Sequence, residues 1–117
     1  MIQKSIDNIH KGDVFYADLG ENVGSEQNGI RPVLVIQNDL GNKFSPTLIV
    51  SPLTTKNKKL SLATHVCLGD VNGRKSMALL EQIRTIDRCR LLEYVATVDK
   101  SKMKLVNAAL HHSLDLD

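Results

Sequence analysis

The residue of this chain best placed to do chemistry is an arginine between a polar loop and an apolar strand. Arg31 stands in the segment GSEQNGIRPVLVIQND of residues 24–39, after a glycine-containing loop and before a run of apolar side chains. Glycine lets a ligand approach the backbone closely, and Pro32 keeps the residue before it extended. Because a guanidinium stays protonated at neutral pH, the arrangement suits a bound phosphate. It is equally compatible with a charged residue at the end of an ordinary strand.

The other polar side chains of the sequence add few groups that could catalyse a reaction together with this arginine. Hydroxyls and further polar or charged side chains occur at Ser25, Glu26, Gln27, Asn38, Thr54, Thr55, Glu81, Gln82 and Arg84. An arginine and a threonine hydroxyl are too few groups to attack an amide or an ester. They suffice for cleavage of RNA, whose own 2′-hydroxyl is the nucleophile, because the protein then only bends the backbone and stabilises the charged phosphate. These residues therefore permit RNA cleavage without requiring it.

Motifs for other chemistries are missing from the sequence. None of the four histidines has a second ligand at the spacing of a metal site, and the carboxylates form no magnesium cluster. No nucleophile elbow, phosphate loop or dinucleotide motif is present. Cys67 and Cys89 match neither a disulfide framework nor a zinc site, and we expect both to pack in the core. We expect no metal and no cofactor.

Composition and charge narrow the class of protein. With 117 residues, 42% of them hydrophobic, and a net charge of +2, the chain fits one globular domain that spans residues 1–117. The charge permits an anionic partner without requiring one. Aromatic residues make up 3% and Trp is absent, which argues against recognition based mainly on stacked bases. The start lacks an apolar signal segment and apolar runs are short, so we expect a cytoplasmic protein without a membrane span.

Short apolar segments separated by Gly, Asn, Ser and Pro predict the strands that position these groups. We place strands at residues 14–19, 31–37, 47–53, 65–68, 77–80, 83–86 and 94–98. The final segment differs, because Asp99 can cap a helix and Met103, Val106, Leu110 and Leu114 recur at three- and four-residue spacing. The pattern predicts a mainly β fold, a small β-barrel of about six or seven strands with an amphipathic C-terminal helix.

Two loops and the N-terminal segment complete the prediction. Residues 20–30 join the first two strands and residues 54–64 join the third and fourth. Alternate loops of a small barrel emerge at the same end, so we expect both loops to flank one groove. The second loop carries Lys56, Lys58 and Lys59, which also fit a solvated surface loop. Residues 1–10 are polar, and we expect them to form a flexible arm.

Five segments of the chain resemble the MazF/PemK family of toxin endoribonucleases from type II toxin–antitoxin systems. They are KGDVFYADL (11–19), GSEQNGIRPVLVIQND (24–39), FSPTLIVSPLT (44–54), THV (64–66) and LLEQIRTIDRCRL (79–91). The resemblance is greatest to the Gram-positive branch and implies an SH3-like barrel that forms a homodimer. It also implies metal-independent, sequence-specific cleavage of single-stranded mRNA, which leaves a 2′,3′-cyclic or 3′-phosphate and a 5′-hydroxyl.

The resemblance implies two catalytic residues. The arginine of the family's GxRPV motif is its general acid/base candidate and corresponds to Arg31. The threonine that ends the third strand contacts the scissile phosphate in the family and corresponds to Thr54. Because a free guanidinium holds its protons far above neutral pH, we expect Arg31 first to stabilise charge on the phosphate. Proton transfer by Arg31 stays open.

RNA-binding residues are expected on either side of these two. The loop before the arginine lines the cleavage site in the family, one glutamine falls where family members contact bases, and the two residues after the threonine are also expected to bind RNA. The corresponding residues are Ser25, Glu26, Gln27, Thr55, Lys56 and Gln82. Glu26 fits equally well as an ion-pair partner that orients Arg31.

The family also implies a macromolecular partner, and it leaves two alternatives. The partner is a cognate MazE-like antitoxin, whose acidic disordered segment folds onto the toxin dimer and blocks its groove. One alternative is a superfamily toxin that poisons DNA gyrase, which uses C-terminal aromatic residues that the ending SLDLD lacks. The other is a non-catalytic nucleic-acid-binding barrel in which Arg31 only anchors a phosphate. Residues 68–78 are shorter than in similar sequences, which can alter RNA preference or antitoxin fit.

Overall fold

A curled antiparallel sheet and a C-terminal helix make up the fold. The computed structural model describes residues 8–24, 26–56 and 62–116. The strands in these ranges are β1 (Asp13–Asp18), β2 (Ile30–Val35), β3 (Thr47–Thr54), β4 (His65–Val71), β5 (Arg74–Leu79), β6 (Arg84–Asp87) and β7 (Leu91–Thr97). The α-helices are α1 (Asp39–Phe44) and α2 (Lys100–Leu114), and single 3-10 turns at Leu80–Gln82 and Arg88–Arg90 flank β6. No helix within the described ranges is long and apolar enough to cross a membrane.

The strand order makes β3 the centre of the sheet. The strands pair in the order β4-β5-β3-β2-β1-β7, and β6 pairs with β3. All of these pairs are antiparallel. β3 pairs with β6 at its start, with β2 in its middle and with β5 through Leu53 and Thr54 at its end. This architecture confirms the predicted mainly β fold with a C-terminal helix.

The core lies on both faces of the sheet. Val14 and Leu34 belong to a cluster that packs against α2, whereas Phe15 and Val33 belong to a second cluster on the other face. Successive residues of a strand point to opposite faces, so a strand that is buried on both faces reads as a continuous apolar run. This explains why β2 lacks the alternation of a half-exposed strand.

Helix α2 begins where the sequence predicts it. The side chain of Asp99 accepts a hydrogen bond from the backbone N–H of Lys102 at 2.9 Å, which confirms the N-cap. Val106 is buried and Met103 is partly buried against the first core cluster. Leu114 is 51% exposed, so the buried face is shorter than the four-residue apolar stripe predicted.

Helix α1 was not predicted. Its N-terminus is capped by Asn38, whose side-chain oxygen accepts a hydrogen bond from the N–H of Gly41 at 2.8 Å. At the other end the guanidinium of Arg88 donates to the carbonyl oxygens of Asn42 and Ser45. A side chain that is remote in sequence therefore satisfies carbonyl groups at the end of this six-residue helix.

The last residues of the expected N-terminal arm belong to the folded domain. Ile9 is only 4% exposed and lies in the second core cluster. The backbone N–H of His10 donates to Oδ2 of the buried Asp13 at 2.8 Å. The rest of the expected arm, residues 1–7, lies outside the described residues.

Candidate active site

Arg31 is the second residue of β2, next to the loop that precedes this strand. It lies opposite Ala17 of β1 and is partly buried. Its Nε donates a hydrogen bond to the carbonyl oxygen of Asn28 at 3.0 Å. Among the described residues Arg31 forms no ion pair, so the structure supports neither the alternative of a Glu26 partner nor a structural salt bridge. The guanidinium therefore remains available for an anion.

The loop before Arg31 is held together by its own polar groups. The N–H of Gly29 donates to the carbonyl of Gly20, which closes the loop at its base. The side-chain amide of Asn22 donates to the carbonyl of Gln27. Oε2 of Glu26 accepts a hydrogen bond from the N–H of Val23 at 2.9 Å, so Glu26 stabilises the loop instead of pairing with Arg31. Ser25, which was predicted to bind RNA, lies outside the described residues.

Gln82 connects this loop to the 3-10 turn between β5 and β6. Its Oε1 accepts a hydrogen bond from the backbone N–H of Gln27 at 3.1 Å. The two glutamines and Glu26 border a cavity of about 390 Å³. The polar side chains that line it are those of Asn22, Glu26, Gln27, Glu81, Gln82 and Arg84. Because the oxygen of the Gln82 amide is engaged, its Nε2 is the group left to donate to a ligand.

The turn that carries Gln82 is fixed by neighbouring elements. Nε2 of His65, a side chain only 5% exposed, lies 2.9 Å from Oε2 of Glu81. Partial burial alone raises the pKa of Glu81, but hydrogen bonds from His65 and from its own backbone outweigh burial and hold this pKa below its ordinary value of 4.5. The carbonyl oxygen of Leu80 accepts a hydrogen bond from the Ser113 hydroxyl of α2 at 2.9 Å. The turn is thereby tied to both β4 and α2.

Thr54, the last residue of β3, lies at a second cavity. Its side chain is 2% exposed, and its Oγ1 accepts a hydrogen bond from the backbone N–H of Lys56 at 3.1 Å. With this lone pair occupied, the hydroxyl proton can be donated to a ligand. Thr54, Thr55 and Lys56 together border a cavity of about 310 Å³, whose other lining residues include Lys75 and Ser76 of β5. Lys58 and Lys59 of the same loop lie outside the described residues.

The predicted site residues are thus divided between two cavities. Glu26, Gln27 and Gln82 share the first, and the 54–56 segment lines the second. Arg31 is not among the described residues that line either of these two cavities. That the two loops flank one groove stays a prediction, because residues 25 and 57–61 of these loops lie outside the described residues.

Several residues at these cavities were not singled out as site residues from the sequence. Asn22 and Lys75 carry no motif, and their position depends on how the chain folds. Glu81 and Arg84 were noted as polar groups without a role, and their proximity to Gln82 in sequence was the available signal. Cys89, expected in the core, is exposed, and Cys67 is partly buried. The described residues contain no cluster of three or more potential metal ligands.

The fold and these residues define a known class of protein. Residues 10–114 match the family of PemK-like, MazF-like toxins of type II toxin–antitoxin systems, and the chain belongs to this family. It is 50% identical over 111 residues to the endoribonuclease EndoA of Bacillus subtilis (strain 168), covering 92% of this chain and 96% of EndoA. It is 48% identical over 111 residues to the endoribonuclease MazF of Staphylococcus saprophyticus, covering 92% of each chain.

Solved structures agree with the fold. An endoribonuclease from a mycobacterial species, solved in complex with its cognate antitoxin, is 25% identical with a TM-score of 0.79, covering 93% of this chain and 97% of that one. MazF (Form-I) from Deinococcus radiodurans is 24% identical with a TM-score of 0.79, covering 92% and 96%, and shows the fold alone. Together with the sequence relatives, these matches confirm the family and the enzyme class, an endoribonuclease, that the sequence predicts.

Proposed function

We propose that the chain is the toxin of its toxin–antitoxin module and cleaves single-stranded mRNA in the cytoplasm at a specific sequence. Membership of the toxin family and 50% identity to a named endoribonuclease support this substrate class. The assignment of Arg31 and Thr54 as catalytic residues rests on where these two residues lie in the sheet. Each lies two residues beyond the last pair of the β2–β3 ladder, Val33 with Pro52, at the same end of the two strands.

The proposed reaction uses the substrate's own nucleophile and no metal. The 2′-oxygen of the RNA attacks the adjacent phosphorus and forms the new P–O bond, while the bond from phosphorus to the 5′-oxygen breaks. The 5′-oxygen leaves with the bonding electrons and takes up a proton, and the 2′-hydroxyl loses one. The products are a 2′,3′-cyclic phosphate, which water can open to a 3′-phosphate, and a 5′-hydroxyl end.

Arg31 and Thr54 stabilise the charge that builds up on the phosphate. The guanidinium of Arg31 is oriented by Asn28 and has no carboxylate partner among the described residues, so its charge is available to the pentacoordinate phosphorus centre. The Thr54 hydroxyl accepts from the N–H of Lys56 and can donate its proton to a phosphate oxygen. Thr55 and Lys56 are exposed beside it, and we expect them to contact the RNA backbone.

Sequence specificity is assigned to the cavity that Gln82 shares with the loop before Arg31. Its lining supplies amide, carboxylate and guanidinium groups, which are the donors and acceptors needed to read the edge of an unstacked base. Gln82 holds Gln27 with its oxygen and offers Nε2 to the base. Glu26 keeps one carboxylate oxygen for a similar contact while the other accepts from Val23.

The proposed assembly is a homodimer inhibited by a cognate antitoxin with an acidic, disordered segment. Membership of a type II toxin family supports the antitoxin, and a mycobacterial endoribonuclease of the same fold has been solved with its own antitoxin. Carboxylates of such a segment can occupy the sites that phosphates use. Light scattering of the purified chain, with and without its antitoxin, measures the two stoichiometries.

The decisive experiment is cleavage of a long mixed-sequence RNA in EDTA, followed by sequencing of the cut ends. We expect discrete cuts by the native chain and a loss of about 10²–10³ in kcat for Arg31→Ala, as for removal of one charge-stabilising donor. Lys104→Ala, a change at an exposed cation of α2, is the matched control and should cleave normally. No cuts by a folded native chain free of antitoxin would refute the proposal.

A further inference from the structure

Two adjoining cavities lie between the end of β3 and the β4–β5 hairpin. The first, about 310 Å³, is the one bordered by Thr54, Thr55 and Lys56. The second, about 350 Å³, is lined by Tyr16, Pro32 and residues of the hairpin. Thr55 and Ser76 line both, so the two cavities are neighbours. They form a continuous surface that starts at Thr54.

The charged side chains that the described residues contribute to this surface are all cations. Lys56 and Lys75 line the first cavity and Arg74 lines the second. No carboxylate among the described residues lines either one. Asp70 lies opposite Lys75 in the β4–β5 ladder, yet the two side chains form no ion pair. Three exposed cations therefore remain without a partner within the described part of the chain, next to a residue assigned to the reacting phosphate.

The hairpin fixes the position of two of these cations. Asn72 and Gly73 form its turn with φ values of 51° and 80°, the positive angles that a tight two-residue hairpin requires. The hydroxyl of the buried Ser76 donates to the carbonyl of Arg74 at 3.0 Å and holds the start of β5. Arg74 and Lys75 are successive residues, so their side chains leave opposite faces of β5, which agrees with their lining different cavities.

We propose that Lys56, Lys75 and Arg74 bind successive phosphates of the RNA strand beside the scissile phosphate. The inference rests on the proposed RNA-cleaving function and extends its binding site to the β4–β5 hairpin. Contacts to phosphates position a strand without reading its sequence. The three cations therefore raise affinity and fix the path of the RNA, whereas the choice of base belongs to the cavity at Gln82.

The test is the salt dependence of binding to a fluorescein-labelled single-stranded RNA, measured for Lys75→Gln, Arg74→Gln and the double variant. Each lost phosphate contact should reduce the slope of log Kd against log salt concentration by about 0.7. If the variants and the native chain bind equally at 1 M salt, this change of slope raises Kd at 0.15 M salt about fourfold for one lost contact and about fifteenfold for two. Lys104→Gln on α2 should leave the slope unchanged.

The outcomes separate this inference from the proposed function. If the native chain cuts RNA and both hairpin variants keep its slope and Kd, the proposed phosphate contacts are refuted while the endoribonuclease stands. If the native chain neither binds nor cuts RNA, the proposed function itself is refuted. Weaker binding of a labelled poly-glutamate peptide with unchanged RNA binding assigns the cations to an acidic polypeptide and overturns the proposal. Retained cleavage positions in the variants, sequenced as above, support a role in affinity alone.

Discussion

The hydrogen bond between His65 and Glu81 yields a prediction for stability. Its donor nitrogen and acceptor oxygen lie 2.9 Å apart, with His65 almost fully covered and the Glu81 side chain 39% exposed. A buried hydrogen bond to a charged group contributes about 1.5–3 kcal/mol. Because water reaches more than a third of Glu81, screening reduces this to about 0.5–1 kcal/mol. We expect Glu81→Gln to lower the free energy of unfolding by this amount at pH 7.

The pH dependence of this loss follows from the lowered pKa of Glu81. Folding favours the ionised carboxylate, since its pKa lies below the ordinary value of 4.5 in the folded protein. The contribution of this group is therefore present above pH 4.5 and is lost as the pH falls through the lowered folded pKa. Urea unfolding of the native chain and Glu81→Gln should show the full difference at pH 7 and a smaller one at more acidic pH.

A matched control separates this pair from general charge effects. Glu93 is an exposed glutamate of β7 for which no side-chain partner is present among the described residues. Glu93→Gln should change the unfolding free energy little at any pH. Equal stability of Glu81→Gln and the native chain at pH 7 would refute the reasoning, as would a difference that stays constant through the acid range.

Two further predictions concern local contacts. Asp99→Ala removes the N-cap of α2 and should lower the free energy of unfolding. Asp99→Asn keeps an acceptor oxygen and should retain most of the stability; denaturant titration measures both variants. The hydrogen bond of the Cys89 thiol with the Asp87 carboxylate, together with the negative charge of that group, raises the pKa of Cys89. Asp87→Asn should therefore speed alkylation of Cys89 at neutral pH, followed by mass spectrometry, and an unchanged rate contradicts this.

Strands and the main helix were predictable because their signals are local. Apolar runs located all seven strands to within a few residues, and the Asp99 cap marked the start of α2. β4 and β5 extend beyond the prediction, because the polar residues around Asn72 and Gly73 pair with each other in a hairpin without an apolar run. Helix α1 was missed because its six residues include a glycine and one of its ends is held by the distant Arg88.

The candidate site was predictable only in part, for a related reason. A motif locates Arg31 and Thr54 in the sequence, but the partners of a side chain depend on contacts between distant segments. Glu26 was an equal candidate for an ion pair with Arg31, and its carboxylate instead accepts a hydrogen bond within its own loop. Lys75 has no sequence signal for the cavity it lines, because β-strand pairing brings it there.

The change of partner along β3 explains why the site is divided between two cavities. β3 pairs with β2 as far as Val33 with Pro52, and from Leu53 onward it pairs with β5. Pro52 has no N–H, so a change of ladder at this residue leaves no backbone donor of its own unpaired. Pro52 lines the first cavity and Thr54 the second. An RNA strand that contacts both must cross the end of β3, beside the start of the strand that carries Arg31, and there we expect the scissile phosphate to bind.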